Sequence, residues 1–374
     1  MKYIHIVQFH LMSGGGVGSV ITDVSEAMAK EGAEVYVVSL FQRKNIDFQD
    51  SIEWGKKNNI NVTVLQENNE GILIIFRKLN RYIKKLASQD KCCLFLHLKW
   101  GVLAGIISTI GLENVHRIEV YHSGYMKYKL QSFICRPFIE KYIAVSKDAK
   151  KQLHKWFHIK ENLIEVVYNG VDFSNIKNKC GTKCGGFQNS ILFTSIGRLS
   201  FEKGFNYAIE AFAKMKSTNP EIQVSYTMVG DGKDRCECES LAKGFVNFTG
   251  TVEREVVYEY ITNSDVMILP SLWEGNSILL LEVIAVGKPM ILTDIPSFRE
   301  VFRFKPLKHD EIFRVEQFGC VIRPQDVNSC LMAMKSIILR KNEFNEIEEY
   351  VHSFAPNFSL QTQAEKYLNI IDGF

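Results

Sequence analysis

Two glutamates, Glu274 and Glu282, stand with seven residues between them, and the second interrupts an otherwise apolar helical stretch, Ile278 to Val286. A carboxylate in such surroundings is costly unless something binds it. Neighbouring hydroxyls of a diol suit the task, because a carboxylate can accept from both. The backbone N–H groups of Asn276, Ser277, Ile278 and Leu279 open the same helix and would face an anion. Upstream, residues 197–204 read Gly-Arg-Leu-Ser-Phe-Glu-Lys-Gly. Arg198 and Lys203 lie on a glycine-bounded turn before a helix, where two cations can converge on one pyrophosphate. Taken alone, such a pair also fits an ordinary solvated surface.

A glycine-rich turn, Ser13 to Gly18, follows the first strand-like run. Glycines let backbone approach a ligand closely, and a helix N-terminus favours an anion. A dinucleotide fingerprint requires G-x-G-x-x-G and an acid about 20 residues on. Gly14 and Gly16 fit, but Ser19 occupies the third position and the second strand ends Val38-Ser39-Leu40 without an acid. A nicotinamide-type site is therefore disfavoured. A plain strand–helix turn and a loop facing an interdomain cleft both remain.

These segments need a scaffold, and the chain supplies strand-like and helix-like runs in alternation. Strands are expected at Ile4–Phe9, Val35–Phe41, Val62–Leu65, Cys92–Leu98, Ile118–Tyr121, Tyr142–Val145 and Ile164–Tyr168, with helices such as Val17–Lys30 and Ile72–Leu86 between them. Residues 173–190 are polar and rich in Gly, Asn and Lys, and read as a linker. The alternation restarts with strand Ile191–Ile196 and continues through Cys320–Ile322, after which helices Val327–Leu339 and Leu360–Ile371 close the chain. Such alternation implies βαβ units and parallel sheets buried on both faces. The expected fold class is α/β, with two Rossmann-like doubly wound domains facing across a cleft. The expected boundaries are 1–172, a linker at 173–190, 191–355, and a terminal helix at 356–374 returning to the first domain. Ligands in such folds bind at the carboxyl ends of the strands.

Composition narrows the classes. The 374 residues are 46% hydrophobic and 23% charged, which suits two soluble globular domains. No apolar run reaches the ~18 residues of a membrane span. The first strand is broken by His5, Gln8 and His10 and does not read as a signal peptide, so a cytoplasmic chain with reduced thiols is expected. Residues 1–172 carry 23 Lys and Arg against 17 Asp and Glu, a bias too weak for a nucleic-acid partner. Nine cysteines, including Cys180, Cys184, Cys236 and Cys238, lack the paired spacing of a zinc site, and no metal is expected.

Gly-Arg-Leu-x-x-x-Lys-Gly at 197–204, followed by Glu-Gly-x-x-x-x-x-Leu-Glu ending at Glu282, resembles the retaining GT-B glycosyltransferases, most closely glycosyltransferase family 4 (group 1). Tyr-Asn-Gly-Val-Asp at 168–172, Val-Gly-Asp-Gly at 229–232 and Phe-Thr-Gly at 248–250 are similar to further segments of that family. The likeness spans essentially the whole chain. Asn276-Ser277 depart from it, since many relatives carry an apolar residue and Pro or Gly there.

The resemblance implies roles for individual residues. Arg198 and Lys203 would neutralise the diphosphate of a departing donor. Glu282 would hold ribose hydroxyls, and Glu274 hydroxyls of the donor sugar. Asn276, Ser277 and Ile278 would present amides to the donor, and Gly230, Asp231 and Gly250 would line the nucleotide pocket. From the first domain, Gly15 and Gly16 would approach the phosphates, and His122 would reach the sugar; a satisfied loop histidine is the competing reading of His122. His97 is a weaker candidate, and His5 and His10 read as structural.

The implied function is retaining transfer of a sugar from a nucleotide-sugar donor, a UDP-sugar by family habit. The acceptor would be a saccharide or lipid-linked saccharide in surface-polysaccharide assembly, and neither cofactor nor metal would be needed. A UDP-GlcNAc epimerase of the same fold and a non-catalytic partner subunit are the alternatives. The helix Ile72–Leu86 is basic and amphipathic, with cations at 77, 78, 81, 84 and 85. It reads either as a domain helix packed on its sheet or as a peripheral contact with an anionic membrane on its inner face.

Overall fold

The computed structural model describes residues 1–8, 16–42, 48–67, 70–122, 133–179 and 190–370. They form two units: Met1–Val171 with Phe358–Phe374, and Asp172–Asn357.

In the first unit seven strands make one sheet: β1 (Lys2–Val7), β2 (Glu34–Ser39), β3 (Asn61–Val64), β4 (Cys92–His97), β5 (Val115–Tyr121), β6 (Lys141–Ala144) and β7 (Ile164–Val166), in the order β3-β2-β1-β4-β5-β6-β7. Every pairing is parallel. The central strands are continuous apolar runs because helices cover both faces; all six residues of β4 are buried. The winding reverses between β1 and β4, so loops leaving these strands diverge to opposite faces and leave a crevice at their carboxyl ends.

The strand read as Cys92–Leu98 ends one residue earlier. Leu98, at φ +59°, begins the helix Leu98–Ile107. On the other face, helix α1 (Gly16–Lys30) packs against the last helix of the chain, Leu360–Asn369. Ala364 and Tyr367 of that terminal helix share a buried cluster with Val7, Ile21, Val24, Met28 and Phe95. Its entry is fixed by backbone bonds: Val171 N–H donates to the Phe358 carbonyl at 3.0 Å, and Leu360 N–H to the Val171 carbonyl at 3.2 Å.

The second unit repeats the winding with β8 (Ile191–Ile196), β9 (Val224–Val229), β10 (Val246–Gly250), β11 (Val266–Leu269), β12 (Met290–Thr293), β13 (Phe313–Glu316) and β14 (Gly319–Ile322), in the order β10-β9-β8-β11-β12-β14-β13. Its switch point lies between β8 and β11. The edge strand β13 has no counterpart in the sequence reading. It runs antiparallel to β14 and is charged and partly exposed, so it lacks the apolar run that marks the parallel strands. The reading of 173–190 as linker is also corrected in part: Phe173–Lys179 form a helix that packs against the helices Arg254–Asn263 and Ile278–Val286 of this unit. Residues 180–189, including Cys180 and Cys184, lie outside the described residues.

Candidate active site

The chemistry-bearing segments of the second unit converge at the carboxyl ends of β8, β9 and β11. Gly230 follows β9 with φ +128°, and a Cβ on it would lie 2.0 Å from the Gly197 carbonyl oxygen. Only glycine allows the turns after β8 and β9 to lie against each other. Leu199 N–H then donates to the Asp231 carbonyl at 3.0 Å, and Gly230 N–H to the Gly250 carbonyl at 2.9 Å, so Gly230, Asp231 and Gly250 act as backbone supports of the Arg198 turn. The Asp231 carboxylate is engaged by Arg235 at 3.0 Å.

Phe201–Lys203 make one 3-10 turn that ends at Gly204, φ +62°. A Cβ at Gly204 would lie 2.3 Å from the Pro270 carbonyl oxygen, so this turn sits directly on the exit of β11. Leu272 N–H donates to the Glu202 carbonyl at 2.8 Å and joins the two loops backbone to backbone. Two residues 71 apart in sequence are thereby brought together: Lys203 Nζ donates to Glu274 Oε1 at 2.6 Å. The Ser271 hydroxyl donates to the same oxygen at 2.8 Å. Both partners of the ion pair are only partly buried, with side chains 28% and 14% exposed, so incoming solute can compete for them. Arg198 is exposed on the same turn.

Beyond Glu274, Asn276 and Ser277 are buried. The Ser277 hydroxyl caps the helix Ile278–Val286 by accepting from Leu280 N–H at 3.4 Å. The N–H groups of Ile278 and Leu279 at the helix start have no intrahelical acceptor, as at any helix N-terminus, and stand beside Glu274 in sequence. Glu282 is 6% exposed and is not isolated as its apolar neighbours suggest. Tyr258 donates to its Oε1 at 3.3 Å, and the Arg254 guanidinium lies 3.6 Å away. Sequence reasoning missed both partners. Their four-residue spacing, on one face of the helix Arg254–Asn263, is the signal that could have found them. It also passed over Ser271.

In the first unit, Gly16 is the exposed first residue of α1, while Gly14, Gly15 and His10 lie outside the described residues. His122 follows β5 and is not a lone loop histidine. Its Nε2 lies 2.9 Å from His97 Nδ1 at the end of β4. His97 Nε2 in turn lies 2.9 Å from His5 Nδ1 on β1. The rings stack with centroids 5.2 Å apart in each pair. Burial holds His122 down to about 4. Burial, and then the neighbouring His122, hold His5 down to about 3; His97 is held well below its ordinary value by burial and by both neighbours. Each of these shifts favours the neutral ring at pH 7.

Among the described residues no group of three or more His, Cys, Asp or Glu is placed to hold a metal. Of the described cysteines Cys236 is exposed and Cys238 buried, and both are free thiols.

Comparison with known proteins identifies the family. Residues 14–175 match the model of Glycosyltransferase Family 4, and residues 184–350 that of Glycosyl transferases group 1. The chain belongs to the family 4, group 1 glycosyltransferases. It is 26% identical over 250 residues to the O-antigen biosynthesis glycosyltransferase WclY of Escherichia coli, covering 62% of this chain and 61% of that protein. To an Escherichia coli UDP-Gal:alpha-D-GlcNAc-diphosphoundecaprenol alpha-1,3-galactosyltransferase it is 28% identical over 222 residues, covering 55% of this chain and 54% of the relative. The chain thus spans less than two-thirds of the length of these relatives. The crystal structure of a glycosyltransferase from Rickettsia africae shares the fold along nearly the whole length, with TM-score 0.73, 17% identity and coverage of 99% and 97%.

Proposed function

We propose that this glycosyltransferase moves a sugar, with retention at the anomeric carbon, from a UDP-sugar to a lipid-linked saccharide during surface-polysaccharide assembly. The observation that carries the reading is the Lys203–Glu274 contact at the carboxyl ends of β8 and β11, beside a capped helix N-terminus. A departing nucleoside diphosphate develops negative charge. Lys203, Arg198 and the amides of Ile278 and Leu279 are the groups that can meet it without a metal ion. Glu274 holds Lys203 at 2.6 Å; the phosphate of a bound donor would compete for the ammonium and leave the carboxylate for sugar hydroxyls. Glu282, positioned by Tyr258 and Arg254, has acceptor capacity for ribose hydroxyls. Gly15, Gly16 and His122 keep the donor-facing roles that the family resemblance assigns them.

The donor base and acceptor class rest on relatives whose names specify UDP-galactose, a diphosphoundecaprenol acceptor and O-antigen biosynthesis. No described helix is long and apolar enough to cross a membrane. Helix Ile72–Ala87 buries Ile75, Phe76, Leu79, Ile83 and Leu86 in its own unit, and Lys78 is drawn to Glu70 at 2.8 Å. Arg77, Arg81, Lys84 and Lys85 remain exposed, next to Leu73 and Ile74. We propose this outer face as the contact with anionic lipid, each cation near the surface contributing about 1 kcal/mol. Sedimentation with anionic but not neutral vesicles, abolished by salt, is the expected result.

The deciding experiment incubates the enzyme with UDP-, GDP- and ADP-sugars, with and without polyprenyl-diphosphate saccharide, in EDTA. UDP release coupled to a product with the donor's anomeric configuration is expected. Transfer that requires added Mg²⁺ or Mn²⁺ would overturn the charge assignment, and an inverted product would overturn retention.

A further inference from the structure

The chain of contacts His5–His97–His122 crosses three neighbouring strands, β1, β4 and β5, with two nitrogen–nitrogen distances of 2.9 Å. His5 and His97 are fully buried. A neutral imidazole carries one hydrogen, on one nitrogen only. Each short nitrogen–nitrogen contact needs one hydrogen between its atoms. Those two conditions leave the chain only two states. In one, His122 Nε2–H donates to His97, His97 Nε2–H donates to His5, and His5 ends on an Nε2–H. In the other, every bond reverses: His5 Nδ1–H donates to His97, His97 Nδ1–H donates to His122 Nε2, and the hydrogen of His122 sits on Nδ1.

The buried end selects between them. His5 Nε2 is buried and has no hydrogen-bond partner among the described residues. Phe95, stacked 4.9 Å from the His5 ring, and Tyr367, with centroid 6.1 Å away, flank that ring with aromatic faces. An orphaned buried N–H is rarer and costlier than an orphaned acceptor. The first state buries such an N–H; the second leaves only a lone pair.

We propose that His5 and His97 are positioning residues that lock His122 as its Nδ1–H tautomer, so that His122 meets its ligand as a hydrogen-bond donor rather than an acceptor. An unconstrained histidine side chain prefers the opposite, Nε2–H form, so the two buried rings act against the intrinsic preference. A donor of fixed direction suits the oxygen of a sugar hydroxyl or ring. The consequence for turnover rests on His122 facing the sugar, as read above; the tautomer itself does not.

The test is a long-range ¹H–¹⁵N correlation spectrum of the full ¹⁵N-labelled chain at pH 7.5, in which Nδ1–H and Nε2–H imidazoles give distinct patterns. The His122 signals are assigned with His122→Gln. Wild type is expected to show His122 with hydrogen on Nδ1. In His97→Leu the tautomer should revert to Nε2–H and kcat should fall about five- to tenfold, as for one lost neutral hydrogen bond, with donor KM within about twofold. His97→Asn keeps an amide donor at the Nδ1 position and should retain both the Nδ1–H tautomer and most of the turnover. A wild-type His122 protonated on Nε2 overturns the proposal, whether or not any variant folds. So does an unchanged His122 tautomer in His97→Leu. A tautomer that switches without any change in turnover upholds the lock, and it is then the sugar contact of His122 that fails.

Discussion

The two units wind their sheets the same way through the first five strands and finish the carboxyl ends with opposite chemistry. In the second unit those ends and the helices that follow them carry fixed charge: Lys203 against Glu274 and Asp231 against Arg235 beside the turns, and Arg254 near Glu282 between two helices. In the first, the described strand ends β4 and β5 carry neutral imidazoles, and the chain places seven of its nine histidines in residues 1–171. Under the proposed function, the two kinds of strand end suit different chemistry. A diphosphate demands charge that is already in place when the bond breaks, whereas sugar hydroxyls are distinguished by donors and acceptors of fixed direction. One kind of sheet allows both because strand order sets which ends lie together within a unit, and loop residues set what they present.

The largest expected effect breaks the charged side of the contrast. Lys203→Ala and Arg198→Ala should each lower kcat by about 10²–10³, the usual loss on removing one preorganised group that stabilises developing charge. Near-normal turnover at saturating donor in both variants would leave the second unit's charges without a catalytic role. Next in size is a backbone comparison. Gly230→Ala forces a Cβ to within 2.0 Å of the Gly197 carbonyl oxygen at a left-handed φ, and should destabilise the second unit by at least about 2 kcal/mol. Gly16→Ala meets nothing within 4 Å and should leave the urea midpoint unchanged. Equal midpoints for the two variants would show that the turns after β8 and β9 are not locked together.

Acid should act through the first unit. A histidine whose native pKa is depressed stays neutral in the fold, while the unfolded chain binds a proton as pH falls below about 6.5. Stability present above that value is therefore lost on acidification towards the native values, about 4 for His122 and about 3 for His5. The loss per histidine is bounded by about 1.4 kcal/mol per pH unit. Urea melts followed by tryptophan fluorescence, to which Trp54, Trp100 and Trp156 contribute from this unit, should lose midpoint between pH 7.5 and 5. His5→Phe should lose distinctly less over the same interval; an identical drop would remove the buried chain as the cause. The smallest effect sharpens the donor site. Glu282→Gln should raise donor KM about tenfold with kcat within about twofold, since a ribose contact is made equally in ground and transition states. A fall in kcat at unchanged KM would place Glu282 in the chemical step.

Much of the frame was legible before any coordinates. Central parallel strands announce themselves because both faces are buried, as in the run Cys92–His97, and glycine-bounded turns such as 197–204 mark where a strand hands over to a helix. Elements that escaped share a reason. Phe313–Glu316 alternates charged with apolar residues and is partly exposed, and Phe173–Lys179 is rich in Asn, Lys and Ser, so nothing in their composition separates them from loop. Leu98 begins a helix directly at the end of a strand, where apolar character is the same on either side of the boundary.

The sequence by itself determined the winding, the family and the types of group available: the cations at 198 and 203, the acids at 274 and 282, and the histidine after β5. Only the tertiary structure decided which of them meet. Lys203 reaches Glu274 because β8 and β11 are neighbours across a switch point, and Glu282 is satisfied by a tyrosine and an arginine from another helix. His5, His97 and His122 form one chain because β1, β4 and β5 lie side by side with their ends in step, a register held by ladders such as Ile6 to Leu96 and His97 to Val120. Local sequence governs propensity over a few residues. Contacts between residues 71 or 92 positions apart depend on strand order and register, which exist only once the sheet has formed.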